Sequence, residues 1–163
     1  MARITTNTTG TQPLIILNTA VTGANCSLTL PFVQDLTITN STGVYSYTTF
    51  QDVDQRKLST PANNELSTNI VIDDTAFFGQ AADPTDAPAN SAAQLGVMYL
   101  SSNKTPLTFQ VYWAGNTVGS TDPLTTGSGF LTSIAAKTSP TAPVWVTPLN
   151  LAVDGAMTSG LNG

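Results

Sequence analysis

Histidine is absent from this chain, and charge is scarce. The 163 residues include five Lys and Arg and ten Asp and Glu, 9% in all, where a soluble domain usually carries about a quarter. Without His, the Ser–His–Asp and Cys–His nucleophilic arrangements and His-based zinc sites are excluded. One cysteine, Cys26, excludes an internal disulfide framework; beside the strand-like SLTLPF it reads as a small buried hydrophobe. Neither GxxxxGK[ST] nor GxGxxG occurs. The Gly-rich TTGSGF (125–130) lacks the lysine and the helix-opening context of a phosphate loop, and reads as a turn. No cluster of Lys or Arg offers an affinity site for phosphate, and the net charge of −5 suits a surface from which nucleic acid must not stick. No apolar run approaches the length of a membrane helix. The opening MARITTNTTG has no apolar core of a secretory signal, so the chain is expected to be made in a cytoplasm and to have no membrane partner.

What fills the gap is hydroxyl and amide. Ser and Thr make up about a quarter of the chain, and apolar residues 40%. A monomer usually keeps itself soluble with abundant surface charge. A chain poor in charge but rich in Thr, Ser, Asn and Gly desolvates cheaply against other protein. The composition therefore favours a subunit of an assembly over a small extracellular β-domain.

The apolar pattern is mostly two-fold, which predicts strands. PLIILN (13–18) reads as a short buried strand. SLTLPFVQDLTIT (27–39) alternates through Leu28, Leu30 and Phe32, then Leu36 and Ile38, with Pro31 at an edge or bulge. GVYSYTTF (43–50) puts Tyr45 and Tyr47 on one face, and STNIVIDDT (67–75) reads as a strand ending in Asp73 and Asp74. LTFQVYW (107–113), GFLTSIAAKT (129–138) and VWVTPLNLAVDGAM (144–157) supply the remaining strands. Only PANSAAQLGVMYLSSN (88–103) reads as a helix, with Ala92, Leu95, Met98 and Tyr99 at helical spacing and Asn90 or Ser91 as the cap. No internal repeat or linker is visible. The expected architecture is a single domain over residues 1–163, mainly β: a β-sandwich or partly open β-barrel with one flanking α-helix.

One window departs from the rest. Seven charged residues, Asp52, Asp54, Arg56, Lys57, Glu65, Asp73 and Asp74, fall within a short stretch. Five of them lie in or beside QDVDQRKLSTPANNEL (51–66), which is expected to be a long protruding loop between two strands. Such loops usually carry a function or are disordered. Val53, Leu58 and Leu66 give this one apolar anchors, Pro61 stiffens it, and its charges alternate in sign. That combination suits docking on a like neighbour, with charge setting register.

The carboxylates have other readings. Asp52 and Asp54 would share a strand face, whereas Asp73 and Asp74 would point to opposite faces. Paired with a distant carboxylate they would fit glycoside hydrolysis, or with oxygen ligands a calcium site. DPTDAPAN lacks the Gly and the bidentate Glu of an EF-hand. Surface or interface charge explains these residues better, so no catalysis, cofactor or metal is expected. Tyr45, Tyr47, Tyr112, Trp113 and Trp145 would make a sugar-binding face if gathered, but their alternation fits core or interface.

The arrangement resembles the tail tube proteins of tailed bacteriophages, a family that extends to the tubes of contractile secretion systems. The resemblance is carried by the charged segment QDVDQRKLSTPANNEL between two early strands, by a single helix near SAAQLGVMYL preceding LTFQVYW, and by the C-terminal run GSGFLTSIAAKTSPTAPVWVTPLNLAVDGAM with its strand closing on Asp154-Gly155. It implies a viral structural protein of the virion tail, assembled in the host cytoplasm. Six copies would close a ring through a continuous inner β-barrel, and rings would stack through the 51–66 segment by way of Asp52, Asp54, Arg56, Lys57, Leu58 and Glu65. Other tail or virion proteins would be partners, and DNA would pass through the lumen during ejection without specific binding. Asp73, Asp74 or Asp154 would give that lumen negative charge. A capsid decoration protein and a carbohydrate-binding β-sandwich are the alternative readings.

Overall fold

The computed structural model describes residues 13–23, 26–30, 32–51, 53–80, 88–114, 122–136 and 145–161. Alternation of apolar and polar residues sets the strands. In β1 (Leu14–Asn18), Ile15 and Leu17 are buried; in β5 (Leu107–Tyr112), Leu107, Phe109 and Val111 are. Strand β7 (Val146–Val153) buries Thr147, Leu149 and Leu151, and β4 (Arg56–Val71) buries Leu66, Thr68 and Ile70. With β2 (Leu28–Thr29), β3 (Val33–Tyr47), β6 (Pro123–Ile134) and β8 (Thr158–Leu161), these strands form one antiparallel open sheet. Its order is β2-β1-β5-β6-β7-β4-β3, with β8 paired to β6. The mainly β expectation holds.

Strand β6 organises the sheet. One side pairs with β5 from Leu124 to Gly129; the other pairs first with β8, then with β7 from Gly129 onward. β7 and β8 are thus successive strands along one edge of β6. Between their pairings, Asp154 to Met157 face only Gly127 and Ser128, a bulge anchored where the Asp154 N–H donates to the Ser128 carbonyl at 2.8 Å. The TTGSGF segment expected as a turn is the middle of β6. Gly127 lies opposite Phe109, whose ring occupies the space a side chain would need.

Two helices cover one face. The first, α1 (Asp74–Phe78), falls where the sequence reading had only a strand end. Asp73 is its N-cap, accepting from the Ala76 N–H at 3.0 Å. The second, α2 (Ala92–Ser102), is the expected helix, capped by Ser91. The Gln94 N–H donates to the Ser91 hydroxyl at 3.3 Å, and the Gln94 side chain accepts from the Asn90 N–H at 2.7 Å. Ala92 is buried as expected, but the rest of the buried face is Ala93, Val97 and Leu100, and Met98 and Tyr99 are exposed. The non-helical φ of Gly96, +71°, kinks the helix and resets its face. Phe77, Val97 and Leu100 join the buried strand residues in one core cluster.

The β3 register also differs from the expected alternation. Leu28 and Leu30 are buried as read, but Phe32 is 66% exposed with a φ of +44°. Val33 takes the core position instead, and the irregularity continues to Asp35. Cys26 is half-buried.

Candidate assembly surface

The segment expected as a loop over 51–66 is mostly strand. β4 begins at Arg56, so the connection between β3 and β4 spans 48–55, and residues 56–66 pair with β3. Pro61 and the Asn, Ser and Thr around it lower strand propensity, so this strand looks like a loop in the sequence. Pairing survives Pro61 through a bulge: Thr42 opposes Ala62 and Val44 opposes Ser59, which leaves Thr60 and Pro61 facing Gly43.

The protrusion is nevertheless real. Strand β7 stops against β4 at the Val153–Asn64 pair, whose position is tied by the Asn64 side-chain amide donating to the Gly155 carbonyl at 3.2 Å. Beyond Asn64, β3 and β4 have only each other and run on as a two-stranded ribbon from Ser41–Asn63 to Tyr47–Arg56. At about 3.3 Å per residue, the eight steps along the chain from Asn64 to Arg56 project on the order of 26 Å. The ribbon is mostly solvent-exposed yet carries apolar groups. Tyr45 faces Leu58 across the strands and stacks on Tyr47, with ring centroids 6.2 Å apart and planes at 20°. Leu58 is 55% exposed; at the turn, Phe50 and Val53 are fully exposed, at 113% and 99% of reference. An isolated two-stranded ribbon is marginal in water, and this one exposes the residues that would stabilise it against a partner.

The residues expected to set ring stacking divide into two groups. Asp54, Arg56, Lys57 and Leu58 lie on the ribbon or its turn; Asp52 falls outside the described residues. Glu65 is instead within the sheet, between Thr39 of β3 and Ala152 of β7.

Glu65 belongs to a surface that the sequence reading did not pick out. The sheet face opposite the helices carries Asp35, Thr37 and Thr39 of β3, Glu65, Ser67 and Asn69 of β4, and Asn150 of β7. Asp35 accepts from the Asn69 backbone at 2.8 Å and from its side chain at 2.6 Å; Asn150 donates to the Ser133 hydroxyl at 3.0 Å. Among the described residues no Lys or Arg lies on this face. Arg56 and Lys57 are on the ribbon, and Lys104 is in the turn after α2. The signal in the sequence was the Ser, Thr and Asn at alternate positions of β3 and β4. Asp73 and Asp74 lie elsewhere, at the N-terminus of α1, where Asp74 accepts from the Thr75 N–H at 2.8 Å. Asp154 is exposed at the bulge between β7 and β8.

The aromatic set does not gather into a sugar platform. Tyr112 is buried, Trp113 donates its indole N–H to the Thr125 hydroxyl at 3.0 Å, and only Tyr45 and Tyr47 stack in the open. Among the described residues there is no group of three or more Cys, Asp or Glu able to hold a metal ion. No helix there is long and apolar enough to cross a membrane.

No family model matches the sequence, and no curated protein is detectably similar to it. Solved structures are similar in fold. A chain in the tail of an empty gene transfer agent particle, determined with C6 symmetry, has a TM-score of 0.57 at 14% identity, covering 90% of this chain and 95% of that one. A chain of the sheath–tube complex of an extracellular contractile injection system, PVC, in its extended state has a TM-score of 0.57 at 11% identity, covering 93% and 89%. The tail tube of SPP1 has a TM-score of 0.54 at 14% identity, covering 93% and 78%. The fold is therefore that of tail tube subunits of phages and related particles.

Proposed function

We propose that this chain is the repeating subunit of a tail-type tube. Copies close into six-fold rings, rings stack, and the lumen lets DNA pass without binding it. The observation that carries this reading is the β3–β4 ribbon, a long unpartnered projection that exposes Tyr45, Phe50, Val53 and Leu58 from a chain otherwise poor in interaction chemistry. The six-fold symmetry of a tail with the same fold supports the ring. Ring stacking falls to the ribbon and turn residues Asp54, Arg56, Lys57 and Leu58. Lumen charge falls to Asp35 and Glu65 on the sheet face that carries no Lys or Arg among the described residues, with Asp154 beside it. A lumen without cations keeps a polyanion mobile, because nothing condenses on its phosphates. Such a subunit works by assembly and not by catalysis. It is made in a host cytoplasm, joins other tail proteins in the virion and needs no cofactor.

Electron microscopy of concentrated protein tests this, alongside a variant in which residues 42–62 are replaced by Asn-Gly. The expected result is rings or tubes for the native chain, and a folded variant by circular dichroism that does not stack. A native chain that stays monomeric at high concentration and shows no tubes overturns the proposal, as does a ribbonless variant with tubes of unchanged ring spacing.

A further inference from the structure

We infer that an apolar groove beside α2 receives the ribbon turn of a second copy of this chain. The inference rests on the tube reading and names where the ribbon goes. The groove has a volume of about 330 Å³ and is lined mainly by Ala20, Val21, Leu95, Tyr99 and Pro106, together with the polar Thr19, Asn90 and Thr105. It is held open by fixed backbone. The Thr19 hydroxyl donates to the Asn90 carbonyl at 3.1 Å, which ties the segment after β1 to the entry of α2. At the other end, the Thr105 N–H donates to the Leu100 carbonyl at 3.1 Å and the Asn103 side chain to the Tyr99 carbonyl at 3.1 Å. Those bonds fix a turn that presents Lys104, exposed, next to the lining residue Thr105.

Two complementarities select the occupant. The groove is apolar, and the most exposed apolar side chains of the described chain, Phe50 and Val53, are at the ribbon turn. Lys104 is the one cation among the described residues that is not on the ribbon, and Asp54 sits beside Val53. Phe50 and Val53 enter the groove, and Asp54 meets Lys104 at its rim. The ribbon's reach of roughly 26 Å carries the turn well beyond its own sheet, so the groove it fills belongs to a neighbour. Ribbon and groove are different surfaces, so the contact is heterologous and propagates head to tail from copy to copy, as a growing tube requires. A second copy thus covers both an apolar turn and an apolar groove that a monomer leaves in water.

Disulfide trapping between copies tests the pairing. In a Cys26→Ser background, protein carrying Val53→Cys is mixed with protein carrying Thr105→Cys and oxidised under assembly conditions; Tyr99→Cys serves as a second groove position. The expected product is a mixed cross-linked dimer from either pair and none from one variant alone. A charge swap reads the rim contact: Asp54→Lys and Lys104→Asp each raise the concentration needed for assembly about tenfold or more, and the double variant restores it. Native protein that never assembles overturns the tube reading and this inference together. Variants that assemble normally but give no mixed cross-link overturn this inference alone. Cross-linking without rescue by the charge swap overturns the pairing of Asp54 with Lys104.

Discussion

Gly79 and Gly96 meet back to back where α1 ends against α2. Gly79 has a φ of +92° and Gly96 of +71°, and a Cβ on Gly96 would collide with the Gly79 nitrogen and stand 2.6 Å from the Phe78 carbonyl carbon. The Gln80 N–H then donates to the Ala93 carbonyl at 3.1 Å, so the chain leaving α1 is hydrogen-bonded to the first turn of α2. Both helices approach the sheet as one layer because neither has a side chain at the crossing. Gly96→Ala is expected to destabilise the fold by about 1–3 kcal/mol from the left-handed backbone alone, with the backbone collision adding to it. Urea unfolding of the variant measures this; a change within about 0.5 kcal/mol would mean that the crossing tolerates a side chain.

Leu66, Leu151 and Leu131 stand abreast on β4, β7 and β6, and all three are fully buried. They fill the centre of the sheet beneath the helices. Leu151→Ala removes the middle one, from a row flanked by rigid strands that cannot collapse into the space. The expected loss is about 2–5 kcal/mol, read from the denaturation midpoint at unchanged m-value. The exposed Thr39→Ala on the opposite face serves as a control and should stay within about 0.5 kcal/mol.

Periodicity made the sheet legible. Ile15 and Leu17, or Leu107, Phe109 and Val111, alternate cleanly because one face is buried against helices and the other meets water. The cap at Ser91 was legible for the same local reason. What stayed hidden depended on tertiary partners. Residues 56–66 look like a loop in sequence because Pro61 and polar residues dominate, yet β3 lies alongside them and a bulge absorbs the proline. Asp73 and Asp74 look like a strand end because α1, at five residues, is too short to show a helical period. The polar face with Asp35 and Glu65 appears only once β3, β4 and β7 are in register. The groove beside α2 is built from segments far apart in the chain, and nothing local announces it.

Leu58 and Lys57 are adjacent on the ribbon and point to opposite faces, Leu58 against Tyr45 and Lys57 against Ser46. They separate apolar from ionic contributions to stacking. Leu58 is already half exposed in the monomer, so Leu58→Asp should leave monomer stability within about 1 kcal/mol. In an assembled contact it would bury an unpaired carboxylate, and stacking should fail. Lys57→Ala removes one exposed charge, worth about 0–1 kcal/mol, and tubes should still form with at most a few-fold higher critical concentration. Sedimentation across a concentration series compares the two. Greater damage from Lys57→Ala than from Leu58→Asp would mean that charge, not apolar burial, holds the rings together.

Asp35 and Glu65 share the sheet face opposite the helices, with Asp35 beside Asn69 and Glu65 between Thr39 and Ala152. If this face lines the lumen, its lack of Lys and Arg among the described residues is what keeps DNA from sticking, and adding cations should create binding where there was none. Glu65 is the better site for the change, because Asp35 holds Asn69 through two hydrogen bonds and its loss would disturb the β3–β4 register. Glu65→Lys alone changes the charge of each copy by two, and in a six-fold ring the effect repeats around the lumen. Tubes of the variant should retain short double-stranded DNA in a pull-down at about 50 mM salt and release it by about 200 mM, as expected of counterion release. Native tubes should retain none at either salt. Asp74→Lys at the start of α1, away from this face, adds the same two charges per copy and is the matching control for net charge; it should not change retention. Retention that follows the Asp74 substitution and ignores Glu65→Lys would place the helix side, and not this sheet face, along the path of the DNA.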